Sequence, residues 1–245
     1  MADLAGEAKW RAERRFFSGM AAVILLTVVA GFTRSYFLRP ILGEPPAPAL
    51  GLTPLIHVHG ILFTGWVLLL YAQARLVAGR RIELHRKLGI VAAGVAILML
   101  WTGVWVALHG VVRGVAPGGM EPRRFLALPL FALLMFGALL SAGLWQRHNP
   151  QAHKRLMLLA TIALLPPAIA RWVIVYLGLG PPVVIVIATA FILPIVVWDM
   201  KARHRLHPAT LWGGLALVLS APLRMMIAKT GAWLALADRM VNMVQ

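Results

Sequence analysis

The residues able to do chemistry in this chain are histidines and arginines. Cysteine is absent, which removes disulfides, thiolate metal sites and cysteine nucleophiles together. The eight histidines fall into two layers. His57, His59 and His109 sit at one set of apolar-segment ends; His85, His148, His153, His204 and His207 sit in the turns at the other. A helix rises about 1.5 Å per residue, so His59 and His85 stand most of a bilayer apart and cannot share one metal. Within a layer they can. On adjacent antiparallel helices His59 and His109 come to similar depth, a geometry that suits a bis-imidazole haem or a histidine metal site. His57 and His59 diverge on a regular helix, so both serve one centre only if the helix starts between them. His85, His153 and His207 open helices after comparable basic turns, and three histidines without a carboxylate suit zinc or copper. The plainer account makes the first layer interfacial residues bonded to loop carbonyls and the second headgroup-binding turns.

Arg171 and Arg224 are more pointed. PPAIAR and SAPLR set each arginine shortly after a helix-interrupting proline inside an apolar segment. An arginine in the membrane costs several kcal/mol unless paired or wetted, and no Asp or Glu is expected inside the spanning helices. The pair is therefore expected to face a water-filled cavity holding an anion: a carboxylate, a phosphate headgroup or haem propionates. Snorkelling to the interface is the competing account.

The elements that position these groups are transmembrane helices. Of the 245 residues, 60% are hydrophobic and only 13% charged, and mean hydropathy is +0.81, which no water-soluble surface tolerates. The expected fold is all-α and polytopic, with seven helices at about Phe16–Phe37, Leu55–Ala78, Leu88–Val112, Phe125–Trp145, Leu156–Leu177, Val183–Trp198 and Ala209–Ala228. Pro166-Pro167, Pro194 and Pro222 interrupt the last three. Residues 1–245 read as a single transmembrane domain, with a cytoplasmic lead-in at 1–15 and an interfacial tail at 229–245. Most Lys and Arg lie in the N-terminal segment and in the turns after helices 2, 4 and 6, so the N-terminus is expected inside and the C-terminus outside.

Helices 2 to 7 carry an internal echo. Superposing His85 on His153 places Arg86-Lys87 on Lys154-Arg155; superposing it on His207 matches Leu84 with Leu206 but turns the basic pair into Pro-Ala. The reading is one leading helix plus three helical hairpins with a pseudo-threefold repeat.

The formal charge of +16 is explained by helix-end lysines and arginines at lipid headgroups, so no nucleic-acid partner is expected. No P-loop, HExxH or GxSxG motif is present. The absence of intramembrane carboxylates argues against a proton pump or sodium-coupled carrier. The 11 methionines are scattered and read as packing.

The words HVHG, HRKLG and HPATLWGG resemble a family of uncharacterised bacterial seven-helix inner-membrane proteins, which brings no activity with it. The chain is also faintly similar to the cytochrome b561 group, in which paired histidines hold a haem near each membrane face. That resemblance implies His59 with His109 as one haem pair and His85 with His153 as the other. Three functions are therefore open: a haem- or metal-binding electron-transfer protein of the bacterial inner membrane, with haem b or a divalent metal and a quinone or haem partner; a lipid- or anion-binding carrier or accessory subunit of a membrane complex; or an enzyme acting on an anionic lipid or isoprenoid.

Overall fold

The computed structural model describes residues 2–43, 51–116 and 119–244. Among them no strand occurs, and seven helical segments are long and apolar enough to cross a membrane: Gly6–Phe37, Pro54–Ala78, Ile82–Val112, Pro122–His148, Pro150–Val173, Pro181–Arg203 and Pro208–Ile227. Residues 44–50, in the Pro/Gly-rich stretch between the first two spans, and the Pro-Gly step at 117–118 lie outside the described residues.

The first span is one continuous helix, α1 (Ala2–Phe32), which runs on into a π-helical turn at Thr33–Phe37. The expected lead-in is thus not separate from the span. Trp10 anchors it, with Arg14 on its ring and Arg80 above it at 4.4 Å. Arg14 also donates to the Ala78 carbonyl at 2.8 Å. A short α2 (Arg39–Leu42) follows, then α3 (Pro54–Ala78) and α4 (Ile82–Val112). The chain continues through α5 (Pro122–Trp145), α6 (Pro150–Ile162), α7 (Pro166–Val173), α8 (Pro181–Ala190), α9 (Leu193–Arg203), α10 (Pro208–Ile227) and α11 (Gly231–Asn242).

Local chemistry sets these boundaries. Proline occupies the first helical position of α3, α5, α6, α7, α8 and α10, where its missing N–H costs nothing and its fixed φ already fits. Thr53, Glu121, Asn149, His207 and Thr230 cap α3, α5, α6, α10 and α11 with side-chain acceptors. Pro166-Pro167 does more than bend its span. Pro166 cannot donate to a carbonyl one turn back, and the helix stops at Ile162 and restarts as α7. The next span breaks likewise before Pro194, between α8 and α9.

α6 is the centre of the bundle. Most of its span is buried, whereas the other spans keep most of their surface outward, with Leu26, Ile61, Ile90, Leu134, Val186 and Leu219 exposed as a lipid-facing skin. α3 packs on α4 and α5 on α6, as two of the expected hairpins require. The third differs, because α10 packs chiefly on α6 and α5. The C-terminal helix is amphipathic as expected, but its apolar stripe of Trp233, Ala237 and Val241 is spent on protein, against Leu108, Leu126 and Ala127. Trp233 donates to the Arg123 carbonyl at 2.9 Å, and Asp238 pairs with Arg123.

Candidate functional site

The bundle carries polar groups at three depths: a buried ion-pair hub at the basic face, a cavity at the broken helices, and a histidine–arginine cluster at the opposite face.

The hub was not anticipated. α9 runs past Trp198 to Arg203, so Asp199 lies inside a helix and is fully buried. This corrects the expectation that no spanning helix carries a carboxylate, and the exclusion of ion-coupled transport built on it. Glu7 and Glu13 in α1 and Glu83 in α4 are further carboxylates within the spanning helices; Glu13, half-buried, pairs with Lys154 at 2.5 Å. Arg155, equally buried, meets Asp199 through Nη2 and through Nε at 3.0 Å. Its Nη1 donates to the carbonyl and the side-chain oxygen of Gln151, both at 2.8 Å. The other Asp199 oxygen accepts from the His207 N–H at 3.1 Å and the Thr210 hydroxyl at 2.6 Å. One ion pair thereby ties α6, α9 and the start of α10 together, with its hydrogen-bonding capacity met by protein. Such closure is what lets two charges stay buried.

The histidines expected to meet do so in part. His85 and His153 come together, ring centroids 6.4 Å apart and perpendicular. The Nδ1 of His153 lies 2.8 Å from the Gly143 carbonyl; a carbonyl only accepts, so that nitrogen donates, and in the neutral ring Nε2 is the acceptor. His207 does not join them. It turns back to cap α10, its Nδ1 accepting from the Ala209 N–H at 3.1 Å. Among the described residues no three His, Asp or Glu side chains are placed to hold a metal, so the His85–His153–His207 centre is not assembled.

At the opposite face the expected equal depth of His59 and His109 fails. His59 stands on Thr102, Nδ1 to Oγ1 3.2 Å, and Thr102 precedes His109 by seven residues, about 10 Å of helix. The Thr102 hydroxyl spends its proton on the Leu98 carbonyl at 2.9 Å, so His59 donates to it. His109 bonds its own helix at the Trp105 carbonyl, 2.9 Å away. His57, about half a turn nearer the face, lies 3.3 Å from the Tyr36 hydroxyl. The π-helical turn of α1 sets Tyr36 there and turns Ser35 towards Arg171.

The two arginines expected to share a cavity do not. Arg171 is held by protein: Nε donates to Ser35 at 2.8 Å, Nη1 to the Pro167 carbonyl at 2.6 Å, and the guanidinium covers the Phe32 ring at 3.8 Å. Arg224 has none of this. It is 92% buried, since its relative exposure is 8%, and among the described residues it has no hydrogen bond or ion pair; its Nε is buried without a partner. It lines a cavity of about 30 Å³ bounded by α5, α8, α10 and the α6–α7 break. That is room for about two water-sized groups.

No protein-family model, curated protein or solved structure matches this chain. The site stands on its own geometry. Of its parts, the sequence points to Arg224, His85 and His153, and misses Asp199. One signal for Asp199 was present: WDMKAR contains no helix breaker before His204, so the helix had no reason to end at Trp198.

Proposed function

We propose that this is an integral membrane protein of the bacterial inner membrane that binds an anion within the bundle at Arg224, as a carrier or as the ligand-holding subunit of a complex, with its basic face cytoplasmic. The observation that carries the reading is a buried arginine, its Nε without a partner among the described residues, on a cavity between broken helices. A buried unpaired charge costs several kcal/mol, and an anion in the cavity removes that cost with charge-assisted hydrogen bonds. Broken spanning helices around a polar point are also how membrane carriers build central sites.

The test is an anion panel (halides, short carboxylates, phosphate, anionic lipid) scored by thermal unfolding of the purified chain and of Arg224→Gln. Stabilisation of the parent by some member, lost in the variant, supports the reading; an identical response of both proteins sinks it.

A second reading is favoured by one observation, the approach of His85 to His153, whose Nδ1 is engaged by the Gly143 carbonyl. A bis-imidazole haem or a metal bound there would make the protein a redox carrier with a quinone or haem partner. An optical spectrum of the purified protein, oxidised and reduced, with elemental analysis for iron, copper and zinc, decides it. A colourless preparation without stoichiometric metal ends that reading.

A further inference from the structure

The cavity's dimensions and donors narrow the ligand, given the anion-binding reading above. We propose that Arg224 holds one compact monovalent inorganic anion, of halide or nitrate size and largely stripped of water, and neither a lipid headgroup nor a haem propionate.

Three observations lead there. The first is room: about 30 Å³ takes an ion of one to a few atoms. A carboxylate with its alkyl chain, or a phosphodiester with two ester arms, enters this half-open space only with those arms left outside it. The second is charge. Arg224 is the single charged group on the wall, so one negative charge is balanced and a second is left buried and uncompensated. The third is the supply of donors. The Ser220 hydroxyl is spent on the Leu217 carbonyl at 2.7 Å, and that of Thr189 on the Ile185 carbonyl at 2.9 Å. At the helix break the wall is Pro166, followed by Pro167, neither of which has an N–H. The remaining wall is apolar, formed by Ala132, Met135, Ile162, Ala188, Ile192 and Leu217 among others. Phosphate oxygens would face carbon on most sides, at the desolvation cost of unmade hydrogen bonds. A halide asks for little beyond one guanidinium and an apolar wall, and nitrate accepts its paired N–H groups in plane.

The experiment uses the full chain in detergent at constant ionic strength. Equilibrium dialysis against radiolabelled chloride gives stoichiometry, and thermal unfolding is followed in chloride, bromide, nitrate, gluconate and phosphate, and in nanodiscs containing phosphatidylglycerol. We expect one chloride per chain, displaced by bromide and nitrate but not by gluconate or phosphate. Arg224→Gln should weaken chloride binding about tenfold or more, and Arg171→Gln should leave it unchanged. Arg224→Leu, which removes the charge, serves as the folding control: it should melt normally in gluconate and gain nothing from chloride. If phosphate or phosphatidylglycerol protects the parent through Arg224 while halides do nothing, the size assignment falls and anion binding stands. If no anion acts on the parent, or chloride binds Arg224→Gln undiminished, both fall.

Discussion

Arg155 and Arg224 are both buried arginines on neighbouring helices of one bundle, and they are treated in opposite ways. Arg155 is enclosed by Asp199 and Gln151, and its carboxylate partner is itself completed by His207 and Thr210. Arg224 faces a cavity with its Nε unpartnered. The protein evidently has the means to neutralise a buried arginine, since it has done so one helix away. A guanidinium finished by protein atoms is architecture; for the one left unfinished beside a cavity we propose a binding role. Burial alone would have ranked the two the other way, because Arg155 is the more deeply buried.

The largest effect should come from breaking the finished pair. Asp199→Ala leaves Arg155 buried and unpaired and should cost about 3–5 kcal/mol of unfolding free energy. The double variant Arg155→Met/Asp199→Leu should recover most of that, because apolar residues of similar volume replace buried pairs at little cost. Unfolding of the three proteins in one detergent checks both statements. A double variant no better than the single one would show that the hub holds α6, α9 and α10 by more than charge balance.

Arg224→Leu should act in the other direction. In buffer without a small anion it removes an uncompensated charge and should leave stability unchanged or raise it by about 1–3 kcal/mol. A loss comparable to that of Asp199→Ala would mean Arg224 is as structural as Arg155, and the contrast between them would disappear. Arg171 lies between the two cases, with one hydroxyl, one carbonyl and one ring as partners but no carboxylate. Arg171→Gln should cost about 1–2 kcal/mol, the worth of hydrogen bonds to a charged group; Ser35→Ala should cost less, since the Pro167 carbonyl remains.

The same residues indicate what was legible beforehand. The seven spans were, because apolar runs of membrane length and a proline at most starts leave little choice. The start of α10 at HPATL followed from the same rules. The hub was not. Hydropathy ends the sixth helix at its last aromatic, so Asp199 fell just outside it. Its burial depends on α10 folding back over it, a tertiary fact with no local signature. The depth of His59 against His109 failed for a simpler reason: α4 has 31 residues to the 25 of α3, so similar distances from the ends do not mean the same level. Both arginines lie in helices of membrane-spanning length, yet only packing could separate Arg171, met by the π-helical turn after α1, from Arg224, met by no hydrogen-bond partner among the described residues.

The smallest predicted effect tests the finished side of the comparison through pH. His207 lies in the turn between the last two spans, buried, with Nδ1 accepting the Ala209 N–H that starts α10. Burial, and then the guanidinium groups of Arg155 and Arg203, hold its pKa below the ordinary value of 6.5; Asp199 opposes them and Lys154 adds to them. The folded chain therefore resists protonation at a position where the unfolded chain accepts it. Above about pH 6.5 both states are neutral and this contribution is whole; as pH falls the unfolded state takes the proton first, and stability is lost down through the folded pKa. Protonation would also set an N–H on Nδ1 against the donor it now accepts from, a cap worth about 1 kcal/mol. His207→Asn keeps a capping acceptor without a titrating group. Melting temperatures from about pH 7 down to about pH 5 should fall more steeply for the parent than for this variant. Parallel curves would mean that His207 is not held neutral, and that the hub does not depend on its imidazole as an acceptor.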